Sequence, residues 1–290
     1  MIKFGLSLPL SYSIDKLIKL TVHAEAVGFD YAFMPDHVVS LDGGQPLNVW
    51  SVLNVLAVST HRIGLGSMVA NIYRQHPSTL RQQVYTLSQS LHGRKLIVGL
   101  GAGMRFDCEP FAISQTHPLK RMGESYNLIS DLGVDVVMGA YGPKMKSLAS
   151  WTQGWVSRHA LSPEEFGVEC NMVKSFMFEM NNSPDFLYIA DVPVSHTLEP
   201  WLCKSLAYRY LLQTKYRNAV FNHETAKNIE LDSTTVPQSI LEDFSAVGDT
   251  GTIIKMLESY VAYGANTFSI RYYGRDLEKF GDVIEHFKNQ

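Results

Sequence analysis

Short apolar segments alternate with longer amphipathic segments along most of the chain. Residues 2–8 form the first apolar run, and residues 14–27 then repeat apolar side chains at helical spacing until Gly28 ends the pattern. This alternation is typical of repeated strand–helix units. It predicts eight strands, at residues 2–8, 29–34, 62–69, 94–100, 134–138, 154–156, 186–190 and 267–271. The intervening segments predict helices, at residues 14–27, 46–58, 77–91, 119–130, 143–151 and 249–263, with a last helix from residue 276.

Repeated strand–helix units fold either as an open doubly wound sheet or as a closed α/β barrel. The final unit, residues 246–270, is a complete helix followed by a strand that could close against the first strand. Residues 200–243 are predicted to be a mostly helical insertion before this last unit. No Pro-, Gly- or Ser-rich linker divides the sequence, so residues 1–290 are predicted to form a single domain.

The composition excludes several classes of partner. The chain has 290 residues, with 25 basic and 28 acidic side chains and a formal net charge of −3, and it has no run of Lys and Arg longer than two. This charge pattern predicts binding neither to nucleic acid nor to an anionic membrane. The N-terminal sequence lacks the features of a secretion signal, and the three widely spaced cysteines fit neither a disulfide framework nor a zinc site. We therefore expect a soluble, cytoplasmic protein.

Three loops after predicted strands carry candidate chemistry, because barrel enzymes place their sites at the carboxyl ends of the strands. Asp36 and His37 pair a carboxylate with an imidazole that titrates near neutrality, although a turn-capping Asp36 beside an exposed His37 would give the same pattern. The glycines in segment 99–103 allow close approach to a ring or phosphate, or a tight turn without any ligand. Segment 142–144 precedes a helix whose free N–H groups could bind phosphate, or is ordinary loop sequence.

Other reaction classes find no support in the sequence. The chain has no G-x-S-x-G nucleophile elbow. Its ten histidines form no H-x-H, H-x-x-x-H or H-E-x-x-H motif. We therefore expect neither a Ser-His-Asp hydrolase nor a catalytic metal.

A set of segments in chain order resembles the luciferase-like flavin and deazaflavin oxidoreductase family. The segments are FGLSLP, AEAVGFDYAFMPDH, GLGSMVANIYRQHP, VGLGAG, KRMGESYNLI, MGAYGPKMKSLASWTQGWV and AVGDTGTIIKMLESYVAYGANTFSI. The resemblance implies a luciferase-like (β/α)8 TIM barrel. Within the family, MPDH, MGAYGPKM and the C-terminal VGDTGTIIKMLESYVAYGANTF are most similar to the branch of methylenetetrahydromethanopterin reductases, which use coenzyme F420. This cofactor is a 5-deazaflavin, so the resemblance implies hydride transfer between its C5 and a small organic substrate.

The resemblance also implies roles for individual residues. His37 and Asp36 would be catalytic and lie beside the reactive edge of the ring. The implied cofactor-binding residues are Ser67, Met68, Gly101, Ala102, Gly103, Ala140, Gly142, Pro143 and Lys144. Ser67 and Met68 would lie at a strand-three bulge that in this family often contains a non-prolyl cis peptide and supports one ring face. Segment 140–144 would hold the phosphate end.

Three features depart from the family pattern. Met104 stands where the deazaflavin enzymes commonly have an acidic residue, with Asp107 and Glu109 farther along the chain. Ser7 replaces an acid of the reductase branch, and the connection at residues 130–133 is short. Met104 and the short connection leave open a non-catalytic flavin-binding protein. Deazaflavin and FMN members of the family share the same barrel mouth, so an FMN-dependent luciferase-like monooxygenase is a second alternative.

The family resemblance further implies a homodimer. Barrels of this family commonly dimerise through helices near strands two and three. The apolar segment 49–58 suits such an interface, and it suits packing on its own barrel equally well.

Overall fold

Eight parallel strands close into a barrel in the computed structural model, which describes residues 1–39, 45–177, 185–200, 202 and 238–289. The strands are β1 (Lys3–Ser7), β2 (Tyr31–Met34), β3 (Gly64–Asn71), β4 (Leu96–Gly101), β5 (Asp135–Gly139), β6 (Gly154–Val156), β7 (Leu187–Ser195) and β9 (Thr267–Tyr272), with β8 (Ala246–Val247) as a short addition. Each of the eight barrel strands overlaps a predicted strand, whereas β8 was not predicted. The predicted TIM barrel is confirmed.

The barrel closes through parallel pairing of its first and last strands. β1 pairs with β9, with Lys3 opposite Thr267, and β9 pairs with β7, with Asp191 opposite Ser269. β6 pairs with β7, so the order around the barrel is β1, β2, β3, β4, β5, β6, β7, β9. β8 pairs with the end of β7 and takes no part in this ring. The closure excludes an open doubly wound sheet.

Helices alternate with the strands. They are α1 (Ile14–Val27), α2 (Val49–Ser59), α3 (Pro77–Ser90), α4 (Arg105–Cys108), α5 (Pro118–Asn127), α6 (Pro143–Ala149), α7 (Pro163–Met177), α8 (Gln238–Phe244), α9 (Thr250–Ala262) and α10 (Lys279–Lys288). Most of the predicted insertion at 200–243 lies outside the described residues, and α8 occupies its described end. Among the helices described, none has the length and apolar character that a membrane crossing requires.

Local capping chemistry sets several helix boundaries. The Asn48 side chain accepts the backbone N–H of Ser51, so α2 begins at Val49 and not at the predicted residue 46. At α9, Asp249 Oδ1 accepts the backbone N–H of Thr252 at 2.7 Å. Gly28 ends α1 with a φ of 105°, in the left-handed region that favours glycine.

The apolar core has two layers separated by the wall of the barrel. Most buried apolar residues pack between the strands and the surrounding helices. A second cluster fills the barrel interior and includes Tyr31, Phe33, Ile97, Val137 and Ile189. The Phe33 ring uses the space that two glycines leave, because a Cβ on Gly5 or Gly66 would lie 2.0 or 3.1 Å from it. Side-chain packing therefore fills the barrel below its carboxyl-terminal end.

The apolar face of α2 packs on its own barrel. Trp50, Leu53 and Leu56 of this helix are buried, whereas Val58 is exposed. This packing accounts for the apolar character of segment 49–58 without a second subunit, and homodimerisation stays a prediction.

A methyl group added by Gly5→Ala should lower the unfolding free energy, because its Cβ would lie 2.0 Å from the Phe33 ring. Overpacking of this kind costs about 1–3 kcal/mol. Gly123→Ala on α5 is the matched control, since a Cβ there meets nothing within 4 Å and alanine favours the helix. Denaturant unfolding should show a loss for the first variant and no loss for the second. Equal unfolding free energies for Gly5→Ala and the wild type would contradict this packing of the interior.

Candidate active site

The predicted catalytic residues lie at the carboxyl-terminal end of the barrel, here called the mouth. Asp36 and His37 follow β2 directly, and Asn71 ends β3. The short helix α4 follows β4 and brings Asp107 against the loop after β2. Because parallel strands end at the same edge of the barrel, side chains from these three loops meet there.

His37 is held by the buried carboxylate of Asp107. His37 Nδ1 lies 3.3 Å from Asp107 Oδ2, and the Asp107 side chain is 1% exposed against 31% for His37. Asp107 Oδ1 accepts the backbone N–H groups of Val38 and Val39 at 2.8 and 3.0 Å. One carboxylate therefore fixes both the imidazole and the backbone that follows it.

Asp107 is ionised in these surroundings. Burial raises the pKa of its carboxyl group, but the hydrogen bond and charge of His37 and the two backbone N–H groups outweigh burial, so the pKa lies below its usual range. A carboxylate next to Nδ1 favours the tautomer that carries its proton on Nδ1. His37 Nε2 is the ring nitrogen that points away from Asp107.

Asp36 connects the β2 loop to β3. It is 5% exposed, its Oδ2 accepts the backbone N–H of Asn71 at 3.0 Å, and its Oδ1 pairs with the Arg74 guanidinium. Both carboxylate oxygens thus have a donor within the protein. These contacts hold the β3 loop next to His37, and a direct part of Asp36 in proton transfer stays a prediction.

β3 carries an irregularity at the position that the family resemblance implied. Its register with β4 shifts between Ser67 and Ala70, and the peptide bond between Met68 and Val69 is cis. The Ser67 hydroxyl is fully buried and donates to the Gly99 carbonyl at 3.0 Å. The cis bond follows Met68 directly, so this part of the implied strand-three geometry is present in the chain.

The glycines at the end of β4 and just after it make room for side chains of β3. A Cβ on Gly99 or Gly101 would lie 2.9 or 2.3 Å from methyl carbons of Val69. Gly103 has a φ of 69°, in the left-handed region, and a Cβ there would lie 2.2 Å from Asn71 Nδ2. Packing within the protein therefore accounts for these glycines without a ligand, and their contact with a cofactor stays a prediction.

The segment predicted to hold a phosphate precedes α6. The Ala140 carbonyl accepts the Trp155 indole N–H at 3.1 Å, and Gly142 is the N-cap of α6 without a side-chain cap. Among the predicted cofactor-binding residues, the exposed ones are Gly103, Gly142, Pro143 and Lys144, Ala102 is half-buried, and the buried ones are Ser67, Met68, Gly101 and Ala140. Contact between any of them and a cofactor stays a prediction.

A second polar cluster, which was not predicted from the sequence, lies on the other side of the mouth. Asp191 on β7 is 6% exposed and bonds Arg271 of β9, with Nε to Oδ1 at 2.9 Å and Nη2 to Oδ2 at 3.1 Å. His159, in the loop after β6, places Nδ1 3.1 Å from Asp191 Oδ1. In the strand order, β6, β7 and β9 lie across the barrel from β2, β3 and β4. The sequence feature that could have indicated this cluster is Asp191, a charged residue inside the apolar run LYIADVPVS.

Asp191 and Arg271 keep each other ionised. Burial raises the pKa of the Asp191 carboxyl group, but the charge of Arg271 and the hydrogen bonds from His159 and Arg271 bring that pKa well below its usual range. Burial lowers the pKa of the Arg271 guanidinium. The charge and hydrogen bonds of the Asp191 carboxylate have the larger effect, so the pKa of Arg271 lies above its usual value. This side of the mouth therefore carries a fixed ion pair.

Neither metal nor thiolate chemistry is indicated in the described part of the chain. Its His, Cys, Asp and Glu side chains form no group of three that could hold a metal ion. Cys108 lies next to the site, where Asn71 Nδ2 donates to its sulfur at 3.3 Å. Burial raises the pKa of the Cys108 thiol, so it is not activated as a nucleophile.

Comparison with known proteins agrees with this architecture. Residues 3–135 match the family model described as luciferase-like monooxygenase. Relatives include the 5,10-methylenetetrahydromethanopterin reductase of Archaeoglobus fulgidus, which is 28% identical over 199 residues. That alignment covers 60% of this chain but only 57% of the length of the relative.

Two solved structures resemble the whole chain. One is an F420-dependent secondary alcohol dehydrogenase in complex with an F420–acetone adduct, with a TM-score of 0.81, 18% identity and 98% of both chains covered. The other is the coenzyme F420-dependent tetrahydromethanopterin reductase from Methanopyrus kandleri, with a TM-score of 0.80, 20% identity and 99% of both chains covered. The resemblance to the luciferase-like family is confirmed. At these identities the structural likeness shows the luciferase-like fold alone.

Asp107→Asn should destabilise this luciferase-like barrel at neutral pH, and the loss should shrink in acid. The pKa of the carboxyl group is lower in the folded than in the unfolded state, so its contribution is present above the unfolded pKa and is lost as the pH falls through the folded pKa. We expect a loss of about 1–3 kcal/mol at neutral pH.

Denaturant unfolding of the Asp107→Asn variant and the wild type over a series of pH values measures this loss. Asp15→Asn, at an exposed position in the first turn of α1, is the control and should follow the wild type closely. A loss for Asp107→Asn that is the same at neutral and acidic pH would contradict the assignment.

Proposed function

We propose that this protein is an F420-dependent oxidoreductase that transfers a hydride between C5 of the deazaflavin and a small organic substrate. The observation that carries the proposal is the His37–Asp107 pair, which lies at the mouth beside the Met68–Val69 segment of the neighbouring strand β3. The relatives support it, because a methylenetetrahydromethanopterin reductase and two F420-dependent enzymes by name share sequence or fold with this chain.

The residues at the mouth fit a flat ring with apolar faces and a polar edge. Met68 and Val69 belong to the apolar cluster that fills the barrel, and His37 follows the adjacent strand. Met68 and Val69 would hold one ring face, and segment 142–144 would hold the phosphate end. A bound deazaflavin supplies the hydride chemistry, while the protein supplies binding, orientation and a proton.

His37 would exchange the proton that accompanies hydride transfer. Asp107 holds the imidazole through Nδ1 at 3.3 Å, at the mouth where the ligand would bind. The Asp107 carboxylate keeps the imidazole in one orientation, which is how such pairs support proton exchange by a histidine. Asp36 and Arg74 would act as positioning residues, because they hold the β3 loop against the loop that carries His37.

The purified protein should bind oxidised coenzyme F420 at least about tenfold more tightly than FMN, a difference of about 1.4 kcal/mol. Fluorescence quenching at one fixed salt concentration gives both dissociation constants. Anaerobic mixing with reduced F420 and methylenetetrahydromethanopterin, the first substrate to test, should then oxidise the deazaflavin. Preference for FMN together with oxygen uptake would replace the proposal by a monooxygenase. Tight F420 binding without hydride exchange across a varied substrate panel would indicate a non-catalytic binding protein.

His37→Gln should lower turnover by about 10²- to 10⁴-fold, because it removes the group that exchanges the proton. The dissociation constant for F420 should change much less, since the apolar surface and the phosphate segment remain. His61→Gln is the matched control, because that histidine is exposed at the opposite end of the barrel, before β3. Turnover of His37→Gln equal to that of the wild type would exclude His37 from the reaction.

A further inference from the structure

Asp191 occupies only one edge of the Arg271 guanidinium. Nε and Nη2 of Arg271 face the two carboxylate oxygens at 2.9 and 3.1 Å, and Nη1 has no hydrogen-bond partner among the residues that the structure describes. A guanidinium carries five N–H donors in one plane, so the Nη1 side remains available to a planar or tetrahedral anion. The Arg271 side chain is 28% exposed, so a ligand can reach it from the mouth.

Ser269 adds a buried donor that lacks a partner. It lies opposite Asp191 in the β7–β9 register and two residues before Arg271, on the same face of β9. Ser269 also lies opposite Gly5, whose missing side chain faces the Phe33 ring, so this face is the interior of the barrel. The hydroxyl is fully buried and has no hydrogen-bond partner within the described chain. Such a group is costly unless a partner from outside the chain satisfies it.

The backbone holds His159 beside Asp191. The Ala160 N–H donates to the Asp191 carbonyl at 3.1 Å, and the Asp191 N–H donates to Ser157 Oγ at 3.1 Å. Ala160 has a φ of 51°, in the left-handed region, which is unfavourable for a residue with a Cβ. The loop after β6 is therefore hydrogen-bonded to β7 on both sides of His159, and these bonds hold the imidazole next to the ion pair.

The two sides of the mouth differ in their balance of charge. On one side, Asp107 contacts His37, and Asp36 pairs with Arg74. On the other side, Asp191 contacts both the Arg271 guanidinium and the His159 imidazole, so one carboxylate faces one guanidinium here, whereas the His37 side has two carboxylates for one guanidinium. An anionic group is therefore favoured on the Arg271 side and not on the His37 side.

We propose that Arg271, oriented by Asp191 and assisted by His159 and Ser269, binds a carboxylate or phosphate group of a ligand held at the mouth. The inference rests on the proposed function only for the identity of that ligand. The anion comes either from the cofactor or from the substrate, and both sources present the same oxygen acceptors to the guanidinium.

Three variants test the assignment. Asp191→Asn with Arg271→Gln removes both charges and leaves no buried carboxylate unpaired, which protects the fold. Arg271→Lys keeps the charge but removes the planar fork. Arg158→Gln is the matched control. Arg158 is next to His159 in the chain but pairs with Glu169 and not with Asp191. Glu169 keeps Lys146 as a partner in this variant.

Binding of inorganic phosphate is measured first, from the rise it causes in the thermal midpoint of each protein. Its affinity should fall about 10- to 100-fold in the double variant, as expected for the loss of charge-assisted hydrogen bonds, and by less in Arg271→Lys. Arg158→Gln should bind phosphate as the wild type does. Absence of phosphate binding by the wild type, or equal affinities in the wild type and the double variant, would overturn the proposal.

Two further measurements identify the source of the anion. If it is the cofactor, Arg271 would share the anionic end of F420 with segment 142–144, and the double variant should lose affinity for F420 and keep its affinity for the phosphate-free deazaflavin chromophore. If it is the substrate, both affinities should stay unchanged, and inhibition of turnover by phosphate should be lost. A wild type that binds phosphate in an Arg271-dependent way but does not bind F420 would reject the proposed function and leave the anion site standing.

Discussion

The buried carboxylate of Asp107 joins two loops that would otherwise be independent. It accepts two backbone N–H groups from the loop after β2 and faces the His37 imidazole, while its own backbone belongs to α4, after β4. The next residue, Cys108, receives a hydrogen bond from the Asn71 side chain at the end of β3. The loops of three successive strands thus form one network. Removing an ionised carboxylate from water costs free energy. At Asp107 the hydrogen bonds that the carboxylate accepts offset this cost.

The rest of the mouth is built around that network. Side chains of β3 fill the space beside the β4 glycines, so the barrel interior ends in an apolar layer below the polar loops. The Asp191–Arg271 pair lies across the barrel, on the opposite side of the mouth. A ligand at the mouth would therefore meet the His37–Asp107 pair on one side and the Asp191–Arg271 ion pair with His159 on the other. This asymmetry suits an elongated ligand with a reactive centre and a separate anionic group.

Much of the architecture could be predicted from local sequence because strands and helices have different periods. The eight barrel strands were found, while β8 was missed because two residues carry no pattern. The predicted seventh strand ended at residue 190, yet β7 continues to Ser195 through Asp191 and Pro193. The charge at Asp191 is tolerated inside the sheet because Arg271, 80 residues later in the chain, neutralises it. Local patterns do not contain that information.

The same limit applies to the candidate site. His37 was found because it follows a strand, and Asp107 was noticed only as an acid displaced from the family position. Their contact joins residues 70 positions apart and depends on the barrel having formed. The glycines of segment 99–103 are an ambiguous signal, since packing against β3 and contact with a ring require the same absence of a side chain.

The central claim is that a deazaflavin ring lies at the mouth between the Met68–Val69 segment and His37. A crystal structure of the protein grown with oxidised coenzyme F420 tests this claim most directly. The account predicts the ring against Met68 and Val69, with a polar edge of the ligand within hydrogen-bond distance of His37. Deazaflavin bound away from the β2 and β3 loops, or a mouth without bound deazaflavin at saturating F420, would contradict it.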